Sequence, residues 1–418
     1  MSADAVPPQA CREETITRTK PRTYLSALSW SGTLGQAPGE ILEALFAGEA
    51  PGLIAQTGWR EGGEPIVVGR LRHEPPPLAQ AWAALASRNN ALLAAVFEPL
   101  REAVAKTVAR FGAGRVGVIL GTSTSGIAEG ERALAVFRQN DVWPQGYHYT
   151  RQELGATAEF LAQFAGLCGP AYTISTACTS SGKALIAARR LIQMGLADAV
   201  VCGGADTLCK LTVRGFAALE ATSTGFSSPF TAARDGINLG EGAALFLLTR
   251  EPAPIELLGA GESSDAFHIS APDPEGLGAE IALREALADA RLAPRDIAYV
   301  NMHGTGTPLN DAMEAKLMAR VFGEGGVPAS STKPLTGHPL GAAAAMELGI
   351  CWLLLSGYNA GRRVPGQVWR GAPDQSLPRL AFTTDDSELP QSQQRALMSN
   401  SFAFGGSNVS LIIGDAGP

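Results

Sequence analysis

A cysteine set among small residues, in Ile174-Ser-Thr-Ala-Cys-Thr-Ser-Ser-Gly-Lys-Ala-Leu185, is the strongest candidate nucleophile in the chain. An extended run, Ala171–Ser175, leads into it, and a helical pattern follows from Ser180 through Met194. That order places Cys178 on a sharp strand-to-helix turn, where unpaired backbone N–H groups at the start of the helix favour a thiolate over a thiol. Ala177, Thr179 and Ser180 leave the sulfur approachable, so the turn has the design of a nucleophile elbow with cysteine in place of serine. Free cysteines are more often small buried residues, and taken alone the stretch favours that use; the chemistry needs partners.

A cysteine acyl acceptor requires a base or a cationic neighbour and donors for an oxyanion. The chain has five histidines, and two of them lie in glycine-rich loops at predicted strand ends: His303 in Asn301-Met-His-Gly-Thr-Gly-Thr-Pro308 and His338 in Lys333-Pro-Leu-Thr-Gly-His-Pro-Leu-Gly341. Glycine neighbours let the backbone bend sharply and let a substrate approach the ring. Either histidine alone could be a hydrogen-bonded structural imidazole; two alike, beside an elbow cysteine, point to a site. Lys333, five residues before His338, could hold a histidine neutral and donate to it, with Glu347 on the following helix as its counter-charge. Near the C-terminus, Ser399-Asn-Ser-Phe-Ala-Phe-Gly-Gly-Ser-Asn408 forms a third loop. There Gly405 and Gly406 free the backbone N–H of Phe404 to point into a cleft and its ring to swing, while Phe402 reads as core. A metal site is the rival use of one cysteine and two histidines, but no H-x-x-x-H or C-x-x-C pair is present and nearby carboxylates follow no ligand pattern.

The elements that must carry these loops alternate between strand and helix. Thr23–Trp30, Glu64–Arg72, Val116–Leu120, Ala199–Cys202 and Ala243–Thr249 read as strands in the first part, with helices over Gly39–Ala47, Leu78–Val96, Phe97–Phe111 and Glu153–Ala165. The pattern partly repeats in the strands Ile255–Ser263, Ile297–Met302, Arg395–Ser401 and Val409–Ile413 and the helices Gly278–Ala290, Asp311–Phe322 and Ala342–Leu355. Small-residue loops at strand ends point to an α/β architecture with its functional loops on one edge. The expected division is a flexible extension over 1–21, a half over 22–254 carrying the cysteine and a half over 255–418 carrying both histidines.

Composition narrows the class. Of 418 residues, 45% are hydrophobic and 17% charged, enough apolar surface for a large core. A net charge of -7 argues against a nucleic-acid binder. Six cysteines without regular spacing, no signal peptide and no apolar run of membrane-spanning length predict a cytoplasmic protein with reduced thiols and no membrane insertion.

In this order the loops Thr-Ala-Cys-Thr-Ser, His-Gly-Thr-Gly-Thr-Pro, Lys-x-x-x-Gly-His-x-x-Gly-Ala-Ala and Asn-Ser-Phe-x-Phe-Gly-Gly-Ser-Asn resemble the β-ketoacyl-acyl-carrier-protein synthases, from Thr23 to Gly414. The resemblance implies a thiolase fold of two similar halves stacked as five αβαβα layers, and the elongating Cys-His-His type. By it, Cys178 takes the acyl chain as a thioester, and His303 and His338 bind the malonyl thioester carbonyl and promote decarboxylation. The N–H groups of Cys178 and Phe404 form the oxyanion hole, and Lys333 and Glu347 support the histidines. Each donor aimed at developing negative charge is worth about 3 kcal/mol of barrier. No cofactor is implied; the implied partners are acyl- and malonyl-loaded carrier protein and a second ketosynthase-like subunit, identical or related.

Several departures bear on recognition of the carrier. The family's usual opening is replaced by Tyr24-Leu-Ser-Ala-Leu-Ser-Trp-Ser-Gly32, the basic carrier-facing segment by Ser87-Arg-Asn-Asn-Ala91, and a common arginine by Glu220. With Gly121-Thr-Ser-Thr-Ser-Gly-Ile127 and Gly169-Pro-Ala-Tyr-Thr-Ile174 they look more like ketosynthases of aryl-polyene or type II polyketide clusters. A carrier, being acidic, needs a local basic patch, and Lys183, Arg189, Arg190, Lys210 and Arg214 are candidates, Lys210 and Arg214 foremost. Two other readings compete. A thiolase acting on acyl-CoA needs a second catalytic cysteine near the C-terminus, where none follows Cys351; a non-catalytic chain-length-factor-like subunit would lack the nucleophile that is present here.

Overall fold

The computed structural model describes residues 21–417 apart from 325, 392 and 393, so the expected flexible extension lies almost wholly outside the described residues. Ten strands build the frame: β1 (Tyr24–Ser31), β2 (Val116–Gly121), β3 (Ala171–Ile174), β4 (Ala199–Asp206), β5 (Gly242–Thr249), β6 (Ile255–Ser264), β7 (Ile297–Asn301), β8 (Pro328–Ser330), β9 (Ala396–Phe402) and β10 (Ser407–Asp415). The first five lie in the order β3-β2-β4-β5-β1 and the second five in the order β8-β7-β9-β10-β6. Strand sense repeats as well. β3, β2 and β4 run parallel, β5 is antiparallel to β4 and β1 antiparallel to β5; in the second set β8, β7 and β9 run parallel, β10 is antiparallel to β9 and β6 antiparallel to β10. The two sets touch through the single pairing Tyr24↔Glu256. We propose the join between β5 and β6 as the boundary of halves 22–254 and 255–418, on the strength of this repeated topology.

Alternation along the strands sorts their side chains into layers. Val116, Val118 and Leu120 of β2 face an outer core with the helices Arg88–Phe97 and Ala156–Ala165, whereas Ile119 faces inward. Val200 and Cys202 of β4, Phe246 of β5, Leu257 of β6 and Leu411 of β10 share the central core with the helices Ser180–Gln193 and Ala343–Leu355. Leu277–Ala290 and Pro308–Phe322 cover the other outer face. Helix, sheet, helix, sheet, helix gives the five layers. Apart from Glu347, the helix Ala343–Leu355 is apolar all round because both of its faces are covered. At its crossing with the elbow helix, a Cβ on Gly182 would lie 3.2 Å from Ala344 Cβ and 3.0 Å from Val409 Cγ1.

Two sequence expectations change. The helix expected over Leu78–Val96 is a 3-10 turn, Gln80–Leu85, followed by the helix Arg88–Phe97. Ser87 separates them by accepting the Asn90 N–H at 3.0 Å and so capping the new helix. The strand expected over Ala199–Cys202 runs on to Asp206, through Gly203, which β5 approaches closely, and Gly204, which Gly121 of β2 and Ser181 approach. The segment Ser87–Ala91, which stands in place of the family's basic carrier-facing one, is largely turned inward. Asn89 and Asn90 are buried, and Arg88 pairs with Glu74 and, at 2.8 Å, with the fully buried Glu241.

Candidate active site

Cys178 sits where β3 turns into the elbow helix, and the turn is tightly laced. Ala177 is held at φ +52°, a left-handed conformation that costs a non-glycine residue energy and persists only when its surroundings enforce it. Thr176 N–H donates to Ser180 Oγ at 2.9 Å, Ser180 Oγ donates to Ala177 O at 2.6 Å, and Thr179 Oγ1 donates to Thr176 O at 2.7 Å. Thr179 Oγ1 also lies 2.8 Å from Ser407 Oγ, tying the elbow to the loop that carries Phe404.

Both predicted histidines come to this cysteine. His303 leaves the end of β7, and Glu314 holds its loop by accepting the N–H groups of His303 at 2.8 Å and Gly304 at 2.7 Å. His338 is fixed by strand-like bonds, its N–H donating to Asn238 O at 2.7 Å and its carbonyl accepting from Gly240 N–H at 3.0 Å. The two rings meet edge to face with centroids 5.5 Å apart. Cys178 Sγ and His338 Nε2 are 2.9 Å apart, a hydrogen bond in which the thiol can donate. His338 Nδ1 has no partner among the described residues, so no neighbour fixes that ring's tautomer. His303 differs. Lys333 Nζ donates to His303 O at 2.5 Å and stands 3.3 Å from His303 Nδ1, and it makes a close ion pair with Glu347.

All five side chains are buried, and burial shifts Cys178, both histidines and Glu347. It pushes the Cys178 thiol up to about 12, against the pull of Lys333 and of the Cys178 and Phe404 backbone N–H groups that face the sulfur. The helix terminus therefore does not deliver a resting thiolate as the sequence led us to expect; desolvation outweighs it. Burial, then Lys333, hold both imidazoles well below their ordinary value, so they are neutral near pH 7. Glu347 is raised to about 6 by burial, with Lys333 pulling the other way. A charged pair so deep costs desolvation and does not by itself stabilise the fold.

Phe404 occupies a tight turn closed by Ala403 N–H to Ser407 O at 2.8 Å, with Gly405 at φ +86° and Gly406 at φ +80°, conformations that suit glycine. Its ring packs on Phe216 at 5.5 Å and borders a cavity of about 210 Å³ that Leu219, Glu220 and Thr307 also line. Phe402 is core, as expected.

Cys178 Sγ and the two histidine nitrogens lie within 4.8 Å of one another, the composition of a three-ligand metal site. The 2.9 Å Sγ···Nε2 separation is a hydrogen-bond length; two such ligands on one tetrahedral zinc stand about 3.6 Å apart. The geometry is that of a proton-transfer pair.

Of the basic candidates, Arg189 pairs with Asp289, Lys183 and Arg190 with Glu262 at 3.2 and 2.7 Å, and Arg214 with Glu61 at 3.0 Å. Lys210 is exposed and has no ion-pair partner among the described residues. Lys210 and Arg214 line one groove of about 1030 Å³ with Leu211, Arg138 and Trp143. Sequence reasoning missed Asp311 and Glu314. Asp311, raised to about 6 by burial, accepts the N–H groups of Phe230 at 2.8 Å and Gly306 at 3.0 Å; Glu314 is raised to about 7. The signal was their i, i+3 spacing, which sets both on one face of the helix that follows the His303 loop.

The chain is similar to known proteins. The family models described as "Beta-ketoacyl synthase, N-terminal domain" and "Beta-ketoacyl synthase, C-terminal domain" match residues 82–253 and 255–358. The chain is 36% identical over 326 residues to 3-oxoacyl-[acyl-carrier-protein] synthase 2 of Vibrio cholerae, covering 72% of this chain and 76% of that protein. It is 38% identical over 267 residues to the mitochondrial 3-oxoacyl-[acyl-carrier-protein] synthase of Arabidopsis thaliana, covering 59% and 57%. Among solved structures, the ketosynthase ApeO in complex with its chain length factor ApeC, from Xenorhabdus doucetiae, superposes with a TM-score of 0.89 at 45% identity, covering 95% of this chain and 98% of that one. With two family models over most of its length, a thiolase fold and an elbow cysteine facing two histidines, the chain belongs to the β-ketoacyl synthase family.

Proposed function

We propose that the protein is a condensing acyltransferase that extends an acyl chain by decarboxylative Claisen condensation with malonyl carrier protein. The observation that carries this reading is the 2.9 Å contact between Cys178 Sγ and His338 Nε2, with His303 edge-on beside them. Cys178 attacks the acyl thioester carbonyl, its proton passes to His338 Nε2, and the N–H groups of Cys178 and Phe404 stabilise the oxyanion. The intermediate collapses with loss of the carrier thiolate, which takes that proton. Malonyl carrier protein then enters, and its thioester oxygen accepts hydrogen bonds from His303 Nε2–H and from His338, whose ring, with no partner on Nδ1 among the described residues, exchanges through solvent to carry its proton on Nε2. Its C–C bond breaks, releasing carbon dioxide and leaving the electron pair as an enolate. The enolate carbon attacks the Cys178 thioester, the C–S bond breaks, β-ketoacyl carrier protein leaves, and the Cys178 thiolate is reprotonated from solvent through His338. Thiolase chemistry is disfavoured because none of the described cysteines other than Cys178 stands at the site.

The carrier's arm approaches through the cavity beside Phe404, whose ring gates it, and the carrier docks with Lys210 and Arg214. The subunit partner is a related ketosynthase-like chain, in a pathway of the aryl-polyene or type II polyketide kind. ApeO, named in complex with its chain length factor, supports that pairing. Strand β3, which among the described residues pairs only with β2, leaves its other edge open for a subunit contact, with Tyr172 40% exposed. No helix among the described residues is long and apolar enough to cross a membrane, and we place the protein in the cytoplasm. The test is mass measurement after mixing with acyl carrier protein. The wild type should gain the acyl mass on the peptide containing Cys178, and Cys178→Ala should fold, gain nothing and elongate nothing. Elongation by Cys178→Ala would refute the mechanism.

A further inference from the structure

The last residue of β4, Asp206, is 1% exposed, and its side-chain hydrogen bonds among the described residues come from two loops that flank the reacting pair. Its Oδ1 accepts from Thr122 Oγ1 at 2.6 Å, Ser123 N–H at 2.8 Å, Thr124 N–H at 2.9 Å and Thr124 Oγ1 at 2.8 Å. Its Oδ2 accepts from Gly341 N–H at 2.6 Å. The first loop is pressed on the elbow, since a Cβ on Gly121 would stand 2.2 Å from Ser181 N. The second begins three residues earlier at His338 and passes through Leu340, held at φ +42°. That strained residue lies between the imidazole and the carboxylate's grip on Gly341, and strain of this kind persists only where the surroundings enforce it. One carboxylate thus clamps the segment behind the nucleophile to the segment carrying its proton acceptor.

We infer that Asp206 is a positioning residue for condensation: by bonding the Thr122–Thr124 loop through one oxygen and Gly341 through the other, it sets the Cys178–His338 separation. The inference rests on the proposed role of Cys178 as nucleophile. Its two oxygens have separable tasks. In Asp206→Asn the remaining oxygen can keep all four bonds to Thr122–Thr124, but the amide nitrogen then meets the Gly341 N–H donor to donor, and the clamp opens on the His338 side alone. Gly341→Ala opens it with Asp206 intact, because its Cβ would lie 2.9 Å from Asp206 Oδ2 and 2.9 Å from Ser123 N and Oγ, forcing the two clamped segments apart.

The readout is the pH profile of Cys178 alkylation by iodoacetamide, with Lys333, Glu347, His303 and His338 as the titratable groups around the sulfur. Attack assisted by His338 is insensitive to pH while the imidazole is neutral, whereas attack by free thiolate rises with pH. Asp206→Asn should slow alkylation near pH 7 about tenfold, the scale of a sub-ångström misplacement. The alkaline limb should be unchanged, and acyl loading should slow in parallel. Gly341→Ala should reproduce the pattern, and it provides the reading if Asp206→Asn does not fold. A folded variant with a wild-type profile, or with a rate lowered equally at every pH, overturns the inference. Failure of the wild type to take an acyl group on Cys178 would instead sink the proposed function, so the two failures are distinguishable.

Discussion

Lys333 Nζ stands 3.3 Å from Nδ1 of His303, and this contact decides which nitrogen of that ring carries its proton. An ammonium can only donate, so Nδ1 must be the bare nitrogen, and Nε2 is left as an N–H donor for a substrate oxygen. Lys333→Met should therefore slow malonyl decarboxylation about a hundredfold, the usual cost of one lost oxyanion donor, while acyl transfer to Cys178 continues. It should also cost about 3–5 kcal/mol of stability by stranding Glu347, a loss that Lys333→Met/Glu347→Gln recovers without restoring decarboxylation. Carbon dioxide release and thermal unfolding, measured side by side, check both halves of the expectation.

The histidines are not equivalent, although their loops look alike in the sequence. Only His338 touches the sulfur, so His338→Ala should impair acyl loading as well as decarboxylation, whereas His303→Ala should load at close to the wild-type rate and stall afterwards. Single-turnover loading followed by mass measurement separates the two. Equal loading defects in both variants would contradict the assignment.

Burial lowers both imidazole pKa values well below 6.5. Protonation would remove the acceptor for the thiol proton and place a second cation beside Lys333. Because the native rings resist protonation, the sign is fixed: condensation should hold its rate as pH falls through 6.5 and decline only at lower pH. A half-maximal point at 6.5 in the profile of kcat would show that the rings are solvated in the working enzyme.

Lys210 and Arg214 share a groove, but Arg214 is engaged by Glu61 while Lys210 is not. Lys210→Glu should weaken carrier binding several-fold at low ionic strength and much less near 0.5 M salt, where the Debye length is about 4 Å. Cys178 alkylation should be untouched. A carrier affinity that does not respond at either salt concentration would move the docking surface elsewhere.

Much of the site was legible in the sequence because its loops are local. Glycine and histidine in one short run mark a bend that exposes a ring, and Cys178 between an extended run and a helical one marks an elbow. What was not legible depends on long-range burial. The sequence shows the helix start that favours a thiolate but not the enclosure that drives the Cys178 thiol to about 12. Nor does it show that Arg88 is consumed by Glu74 and Glu241, because partners 14 and 153 residues away become neighbours only through the fold. Asp206 escaped for the same reason, its ligands lying 82–84 residues before it and 135 residues after it. The repeated strand order is a property of pairing with no counterpart in residue identity.

The seam between the two five-strand sets has a consequence during synthesis. A ribosome delivers Cys178 long before His303, His338 and Phe404, and domains generally fold as they emerge. The early half can wind its elbow, but its sulfur then has neither a proton acceptor from the later half nor the Phe404 N–H. On the proposed mechanism a truncated or unfinished chain lacks the groups that take the thiol proton and bind the enolate, so condensation begins only when the second half closes over the first.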